Sequence, residues 1–313
     1  MFITREKLLE KYGNVSWISP YSEIVAMYSD GFVELHEYHA REKCIGGSAW
    51  EVYHYPKVSN LIVHARREGA RNIFVLKTGK TKLNLIPGIA SAGVEEVRVD
   101  EQCKEVEITY SGLAGGGIAA TVCRGMARGV KGIEIIERGG GGKIGKAKLF
   151  LPIKKKIVVG VDDTDNKEEG ATWSLVNEIA FKLEKAGFGK YLNHTIVQLY
   201  PKAPNKTTNC VSVSATFAAD NDFALIRGFE KLIGDATLSD ETAIAVYRKV
   251  IVEEILKKYG NEVKKKIVDL NYAENVAKQS KVKLISITGN LGKIGALAAV
   301  SFENTPDQAV KLY

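Results

Sequence analysis

The stretch Ile157-Val-Val-Gly-Val-Asp-Asp-Thr-Asp165 decides the reading of this chain. Its short apolar run reads as a buried strand. Three carboxylates, Asp162, Asp163 and Asp165, fall within four residues at its C-terminal end. Open α/β sheets place ligands at such strand ends. Like charges this close repel one another unless a cation sits among them. A hard divalent ion such as Mg2+, arriving with a nucleotide's phosphates, is the usual answer. An ordinary solvated acidic turn is the competing reading. The apolar lead-in and the following Gly170-Ala-Thr-Trp-Ser174 favour a site.

Composition sets the frame. At 313 residues the chain has room for two domains, and 45% hydrophobic residues supply ample core. No apolar run reaches the roughly 18 residues of a membrane span, so no membrane association is expected. Charges interrupt the first ten residues every few positions, as in an amphipathic helix rather than a secretory signal. Cys44, Cys103, Cys123 and Cys210 are scattered and form no CxxC pair. Reduced thiols in a cytoplasmic protein follow, without a structural zinc site. A net charge of +7 suits an RNA or polyphosphate partner and equally an ordinary basic protein. The lysine triplets at 154–156 and 264–266 read as solvated element ends.

The fold class expected is α+β with mixed α/β character: two domains, each a mostly antiparallel or mixed sheet covered by helices. Pro152-Ile-Lys-Lys-Lys156 marks the boundary, giving an N-terminal α+β domain over 1–153 and a second domain over 154–313. In the first, helices are predicted at 4–12, 60–68 and 116–128. Strands are predicted at 24–28, 32–36, 49–55, 72–76, 94–99, 105–110, 132–137 and 146–151. In the second, strands are predicted at 157–161, 195–199, 210–217 and 283–288, with helices at 172–186, 222–233, 241–259 and 272–279. Leu113-Ala-Gly-Gly-Gly-Ile-Ala-Ala-Thr-Val122 echoes Leu291-Gly-Lys-Ile-Gly-Ala-Leu-Ala-Ala-Val300. Each reads as a turn into a helix of small residues, a pattern that close packing on a sheet explains and an old duplication would also produce.

Three stretches invite a phosphate reading. Gly140-Gly-Gly-Lys-Ile-Gly-Lys-Ala147 has P-loop spacing, but Ala147 replaces the hydroxyl residue and a strand follows, so a hairpin turn is expected. Pro201-Lys-Ala-Pro-Asn-Lys-Thr-Thr-Asn209 is better placed, because lysine and hydroxyl donors on a proline-stiffened loop suit phosphate oxygens. It forms a natural second jaw opposite the aspartates. Gly289, Gly292 and Gly295 open a helix whose N–H groups would attract an anion, or else they merely permit a tight turn. His36 and His39 are three residues apart without a matching pair, so no histidine site is expected. Cys123 reads as a reactive thiol or, more simply, as a small buried hydrophobe.

Gly160-Val-Asp-Asp-Thr-Asp165, Gly170-Ala-Thr-Trp-Ser174, Pro201 through Thr207 and Ile294-Gly-Ala-Leu-Ala-Ala299 together resemble the ATP-dependent kinase-like domain of archaeal tRNA agmatidine synthase. The order and spacing of the four motifs agree over about 150 residues. The whole chain is also similar to a methanogenesis marker protein family, the eleventh. The resemblance implies that Asp162, Asp163 and Asp165 hold Mg2+ and the ATP phosphates. It puts Thr164 and Thr172 near those phosphates, with Lys206 and Thr207 in the same pocket. Gly160, Gly170, Asn209, Gly292 and Gly295 complete the implied cofactor-binding set.

Departures accompany the match. Thr208-Asn209 stands where the synthase pattern has Arg-Gly, and Ser239-Asp-Glu-Thr242 stands for an acidic-Pro-Gly turn. Zinc-ribbon cysteines and an OB-fold tail, which grip tRNA in the synthase, are not found in these 313 residues. An ATP- and Mg2+-dependent phosphotransferase or ATP-activating synthetase is therefore expected, with a small molecule or RNA as acceptor. The N-terminal half would supply the acceptor site around 112–117. Lys206 would offset developing charge, and Asp163 and Asp240 are the candidate bases. An ATP-binding assembly or maturation factor without turnover is the alternative, and homo-oligomerisation stays open.

Overall fold

The computed structural model describes residues 2–312. The chain divides into two compact units, residues 1–154 and 155–313. Both are mixed assemblies of sheet and helix, as the hydrophobic patterning leads one to expect. Pro152 does not interrupt the chain's strand geometry. Lys143–Asp162 is one extended run whose partners change along its length. Up to residue 154 it pairs with Glu105–Leu113, Gly132–Gly140 and Glu23–Ser29, and from 155 with Val211–Ala219 and Ala243–Tyr247.

In the first unit most strands pair antiparallel with their sequence neighbours. The glycine stretch 139–142 turns Gly132–Gly140 back into Lys143–Asp162, as a hairpin and not a P-loop. Two elements differ from expectation. Residues 49–55 read as a strand because Trp, Val and Tyr favour sheets, yet they lie inside the helix Ile45–Val58. Ser48, Glu51 and Tyr55 share its buried face, a spacing of helical period that outweighs local preference. Residues 60–68, read as a helix, instead form the strand Ile62–Glu68, which pairs antiparallel with Arg71–Lys77 across a two-residue turn.

The second unit is a five-stranded antiparallel sheet with helices on both faces. Its strand order is Lys190–Gln198, Val211–Ala219, residues 155–162, Ala243–Tyr247 and Lys283–Ser286. Ile157, Val159 and Val161 pack with the helices Thr172–Lys185 and Asp222–Ala236. Val158 belongs to the opposite core with Glu254–Val263, Leu270–Gln279 and Gly292–Val300. A strand covered on both sides needs apolar residues at every position, which explains the unbroken run at 157–161. The expected helix at 241–259 is in fact the strand Ala243–Tyr247 followed by Glu254–Val263. Ala-Ile-Ala-Val-Tyr is too short for its period to distinguish a buried strand from a buried helix.

The lysine triplets are not simply solvated. Lys156 is buried and pairs with buried Glu303 at 3.2 Å, while Thr216 Oγ1 donates to the same carboxylate at 2.5 Å. Lys264 is also buried and donates to the carbonyls of Gln308 and Ala309. Glu303→Ala strips the lysine ammonium of this carboxylate inside the core and is expected to cost about 3–5 kcal/mol. The double replacement Lys156→Met with Glu303→Leu should recover most of that loss. Urea denaturation of the three proteins checks both outcomes.

Candidate functional site

The second unit contains a cavity of about 670 Å3 at the C-terminal end of strand 155–162. Asp162, Asp163 and Asp165 line it, together with Lys206, Thr207 and Asn209 of the proline-stiffened loop. Gly170, Thr172 and Gly295 also reach its wall. Gly160, Thr164 and Gly292, also expected to touch a ligand, are not part of its lining.

The backbone at the aspartates is unusual. Asp163 has φ of 56°, in the left-handed region that side chains other than Gly, Asn and Asp seldom occupy. Thr242 Oγ1 donates to the Asp163 carbonyl and thereby ties the turn to the neighbouring strand. Thr164 is buried beneath it. Its carbonyl accepts from the Leu238 amide at 2.9 Å, and its hydroxyl donates to Thr172 Oγ1 at 3.0 Å. Thr172 in turn donates to Asp165 Oδ1 at 3.1 Å. Thr207 Oγ1 approaches Asp165 Oδ2 at 3.5 Å, so hydroxyls from both jaws converge on one carboxylate.

Asp162 is held differently. Its Oδ2 occupies the space in front of Gly295, where any Cβ would overlap the carboxylate. A Cβ on Gly160 would overlap the carbonyl oxygen of Ala296 in the same way. These two glycines let the helix Gly292–Val300 lie against the strand and seat an acidic side chain between them. The anion-binding expectation for Gly289, Gly292 and Gly295 does not match this arrangement. The amides of Asn290 and Leu291 already donate to Glu241 Oε2 at 2.9 and 3.0 Å, and the Gly292 amide donates to the Glu241 carbonyl. The bonds from Leu291 and Asn290 lower the Glu241 pKa, so an internal carboxylate occupies the helix start.

No lysine or arginine among the described residues pairs with Asp162, Asp163 or Asp165. Burial, followed by the Asp163 charge, pushes the Asp162 carboxyl well above the usual carboxylate range. Burial, followed by Asp165 and Glu241, pushes Asp163 up to about 6. Among the described residues no group of three or more His, Cys, Asp or Glu side chains is arranged to hold a metal by itself. The triplet is therefore not a closed cage. It is an open set of hard oxygen donors, and a divalent cation that brought its own oxygen ligands would fit it. Lys206 Nζ donates to the Thr208 carbonyl at 3.2 Å and stays within the lining. Sequence reasoning missed Glu241, because nothing in its local sequence marks a carboxylate that caps a helix about fifty residues later.

Over 296 residues the chain is 44% identical to the uncharacterized protein MJ0921 of Methanocaldococcus jannaschii, covering 93% of this chain and 97% of that protein. This chain belongs to the family of that protein. Residues 158–223 match the family model described as the TiaS TCKD domain. A 151-residue region is 25% identical to the tRNA 2-agmatinylcytidine synthetase TiaS of Pyrococcus horikoshii. That match covers 46% of this chain but only 35% of the synthetase. The crystal structure of TiaS in complex with its tRNA and ATP aligns over 47% of this chain and 36% of its own, with a TM-score of 0.44 at 23% identity. By the family model and the synthetase match, the second unit contains a TiaS-like region. The residues matched by the family model span the site from Asp162 to Asn209. No helix among the described residues is long and apolar enough to cross a membrane.

Gly295→Ala should cost about 1–3 kcal/mol through overlap with Asp162. Adding Asp162→Ala should return part of that cost, which a double-mutant cycle of thermal melts would measure. Asp163 has its pKa raised on folding from 3.8 to about 6. Its contribution to stability is therefore fully present below 3.8 and lost as the pH rises through about 6. Asp163→Asn, which keeps a side chain tolerant of left-handed backbone, should stabilise the metal-free protein at neutral pH by about 1–2 kcal/mol after allowance for solvent screening. Melts at acidic pH, where the aspartate is already neutral, should show no gain.

Proposed function

We propose that the second unit is the ATP-binding half of an ATP- and Mg2+-dependent transferase, either a phosphotransferase or an ATP-activating synthetase. One observation carries this reading. Three carboxylates with no cationic partner among the described residues line the same cavity as a lysine- and threonine-bearing loop. A triphosphate with its divalent ion complements both features at once. The TiaS-like region supports the reading, since the Pyrococcus horikoshii relative is a synthetase.

In this proposal Asp162, Asp163 and Asp165 are the residues that would hold Mg2+, and the ion would neutralise phosphate charge. Transfer from a nucleoside triphosphate depends mainly on positioning and charge stabilisation, so the protein has little covalent work to do. Thr172 and Thr207 fix the orientation of Asp165 through their hydroxyls. Lys206 would balance negative charge developing on the phosphates. Trp173, Ile267, Leu291 and Ile294 offer an apolar wall to a nucleobase. Thr208 stands where the resembling pattern carries arginine, which moves more of the charge stabilisation onto Lys206 and the cation. The acceptor, a small molecule or an RNA, belongs in this reading to methane metabolism, following the marker-family resemblance of the sequence.

Calorimetry with ATP, with and without Mg2+, tests the binding step. Wild type should bind tightly only with Mg2+, and Asp163→Asn should weaken Mg·ATP at least tenfold, about 1.4 kcal/mol. Equal, Mg2+-independent binding by both proteins would overturn the proposal. Nucleotide product then separates the two chemistries, with ADP marking phosphoryl transfer and AMP with pyrophosphate marking activation. Tight Mg·ATP binding with neither product, across candidate acceptors, would favour the non-enzymatic maturation-factor role.

A further inference from the structure

Much of the charge in the first unit is met from within. Arg124 lies 2.7 Å through Nε and 3.0 Å through Nη2 from the two oxygens of Glu37, and Nη2 lies 3.0 Å from Glu51 Oε2. Lys146 and Lys148 pair with Glu95 at 2.6 Å and Glu107 at 2.8 Å. One hollow of the unit is charged differently. Lys57, in the last turn of the helix Ile45–Val58, and Lys82, on the segment leading to the strand Ala92–Asp100, both line a cavity of about 590 Å3. Among the described residues no aspartate or glutamate belongs to that lining, and neither lysine has a carboxylate within ion-pair distance. A cleft walled by charge of one sign on low-dielectric sides focuses its field and concentrates a counter-ion.

The rest of the wall is largely apolar and held in place by packing. Tyr53 precedes Lys57 by one helical turn, and Lys57 Nζ lies 3.2 Å from the centre of its ring. His54 is packed between Trp50 and Tyr53, with ring centroids 4.5 and 4.9 Å away. Val58 seats the helix end against the strand Ala92–Asp100, where a Cβ on Gly93 would stand 2.8 Å from Val58 Cγ2. On the 81–91 segment the amides of Ile86 and Ala90 each donate to the other's carbonyl at 2.9 Å, around a turn in which Gly88 has φ of 77°. This small hairpin brings Ile86 and Ile89 to the lining. Tyr53, Ile86 and Ile89 are 62%, 41% and 64% exposed. Large apolar side chains gathered on one concave surface, with a few polar groups among them, are the mark of a ligand groove.

We propose that this hollow is a second ligand site, one that takes a phosphate monoester with an apolar body. The dianionic head would be held by the Lys57 and Lys82 ammoniums, which meet phosphate as point charges. The body would cover Ile86, Ile89 and Val58. A ligand lacking either part satisfies only half of the surface. Inorganic phosphate leaves the apolar wall in water, and a neutral apolar molecule leaves both ammoniums unmatched. The nucleotide cavity belongs to the second unit and shares no lining residue with this hollow, so the inference stands independently of the nucleotide reading.

The probe is 1-naphthyl phosphate, read by fluorescence anisotropy in EDTA without ATP or Mg2+. Adding protein should raise its anisotropy saturably, with half-saturation at about 0.1–1 mM. 1-Naphthol, which lacks the charge, and 1-naphthoate, which carries only one, should bind about tenfold more weakly or worse. Inorganic phosphate should displace the probe only at concentrations about tenfold above those of phenyl phosphate. Lys57→Gln with Lys82→Gln should weaken binding at least tenfold, about 1.4 kcal/mol, and spare the melting temperature, since both side chains are exposed. Lys7→Gln with Lys11→Gln removes the same charge from the exposed face of another helix and should leave binding unchanged. Ile89→Glu, at an exposed position of the apolar wall, should abolish binding in a protein that still folds. The proposal is overturned if no saturable binding occurs, or if naphthol or naphthoate binds as well as the phosphate. It is equally overturned if inorganic phosphate competes as well as phenyl phosphate, if the Lys57/Lys82 or Ile89 variant binds as wild type does, or if the Lys7/Lys11 pair loses as much affinity. Chelation keeps the aspartate site free of metal throughout, so failure here leaves the nucleotide reading untouched.

Discussion

The close approach of the helix Gly292–Val300 to strand 155–162 is the constraint on which the second unit depends. It exists because Gly160 and Gly295 carry no Cβ. Asp162 fills the gap in front of Gly295, and the helix start is closed by Glu241 rather than by a ligand. The acidic turn faces the cavity shared with the 201–209 loop, and the left-handed backbone at Asp163 is held by Thr242, just ahead of the adjoining strand.

Electrostatics make the two units comparable. In each, carboxylates are buried or half-buried, but only in the first does a guanidinium, that of Arg124, meet them. In the second unit Asp162 and Asp163 respond by protonating more readily, with Asp163 shifted up to about 6. In the first, Arg124 and the hydroxyls around it hold Glu51 ionised at about 2. Opposite shifts follow from one rule. A carboxylate supplied with internal donors keeps its charge, while one left only with like neighbours gives it up. Lys156 and Glu303 show the compensated alternative, where a buried charge is met directly by its partner.

Much of the site was legible in the residues. The apolar run ending in Asp162, Asp163 and Asp165, the loop from Pro201 to Asn209 and the turn at Gly170 all reach one cavity. Other positions were legible only as chemical types. Gly292 looked like part of an anion-binding helix start, yet its amide bonds to the Glu241 carbonyl. His39, Glu51 and Arg124 gave no local signal, because their contacts span as many as 87 residues of sequence. The strand Ala243–Tyr247 and the helix Ile45–Val58 were misread where local preference and packing disagreed.

By itself the sequence determined the existence of most elements, the mixed sheet-and-helix class and the side chains able to meet a phosphate or a cation. Those features follow from periodicity and chemical type, which are written locally. Tertiary structure alone decided which faces those elements present and which charges meet. It showed that Gly160 and Gly295 serve packing, that Lys156 is buried beside Glu303, and that His39 and Glu51 line one hollow. The physical reason is that burial and pairing depend on neighbours brought together by folding, and a linear chain carries no record of that distance.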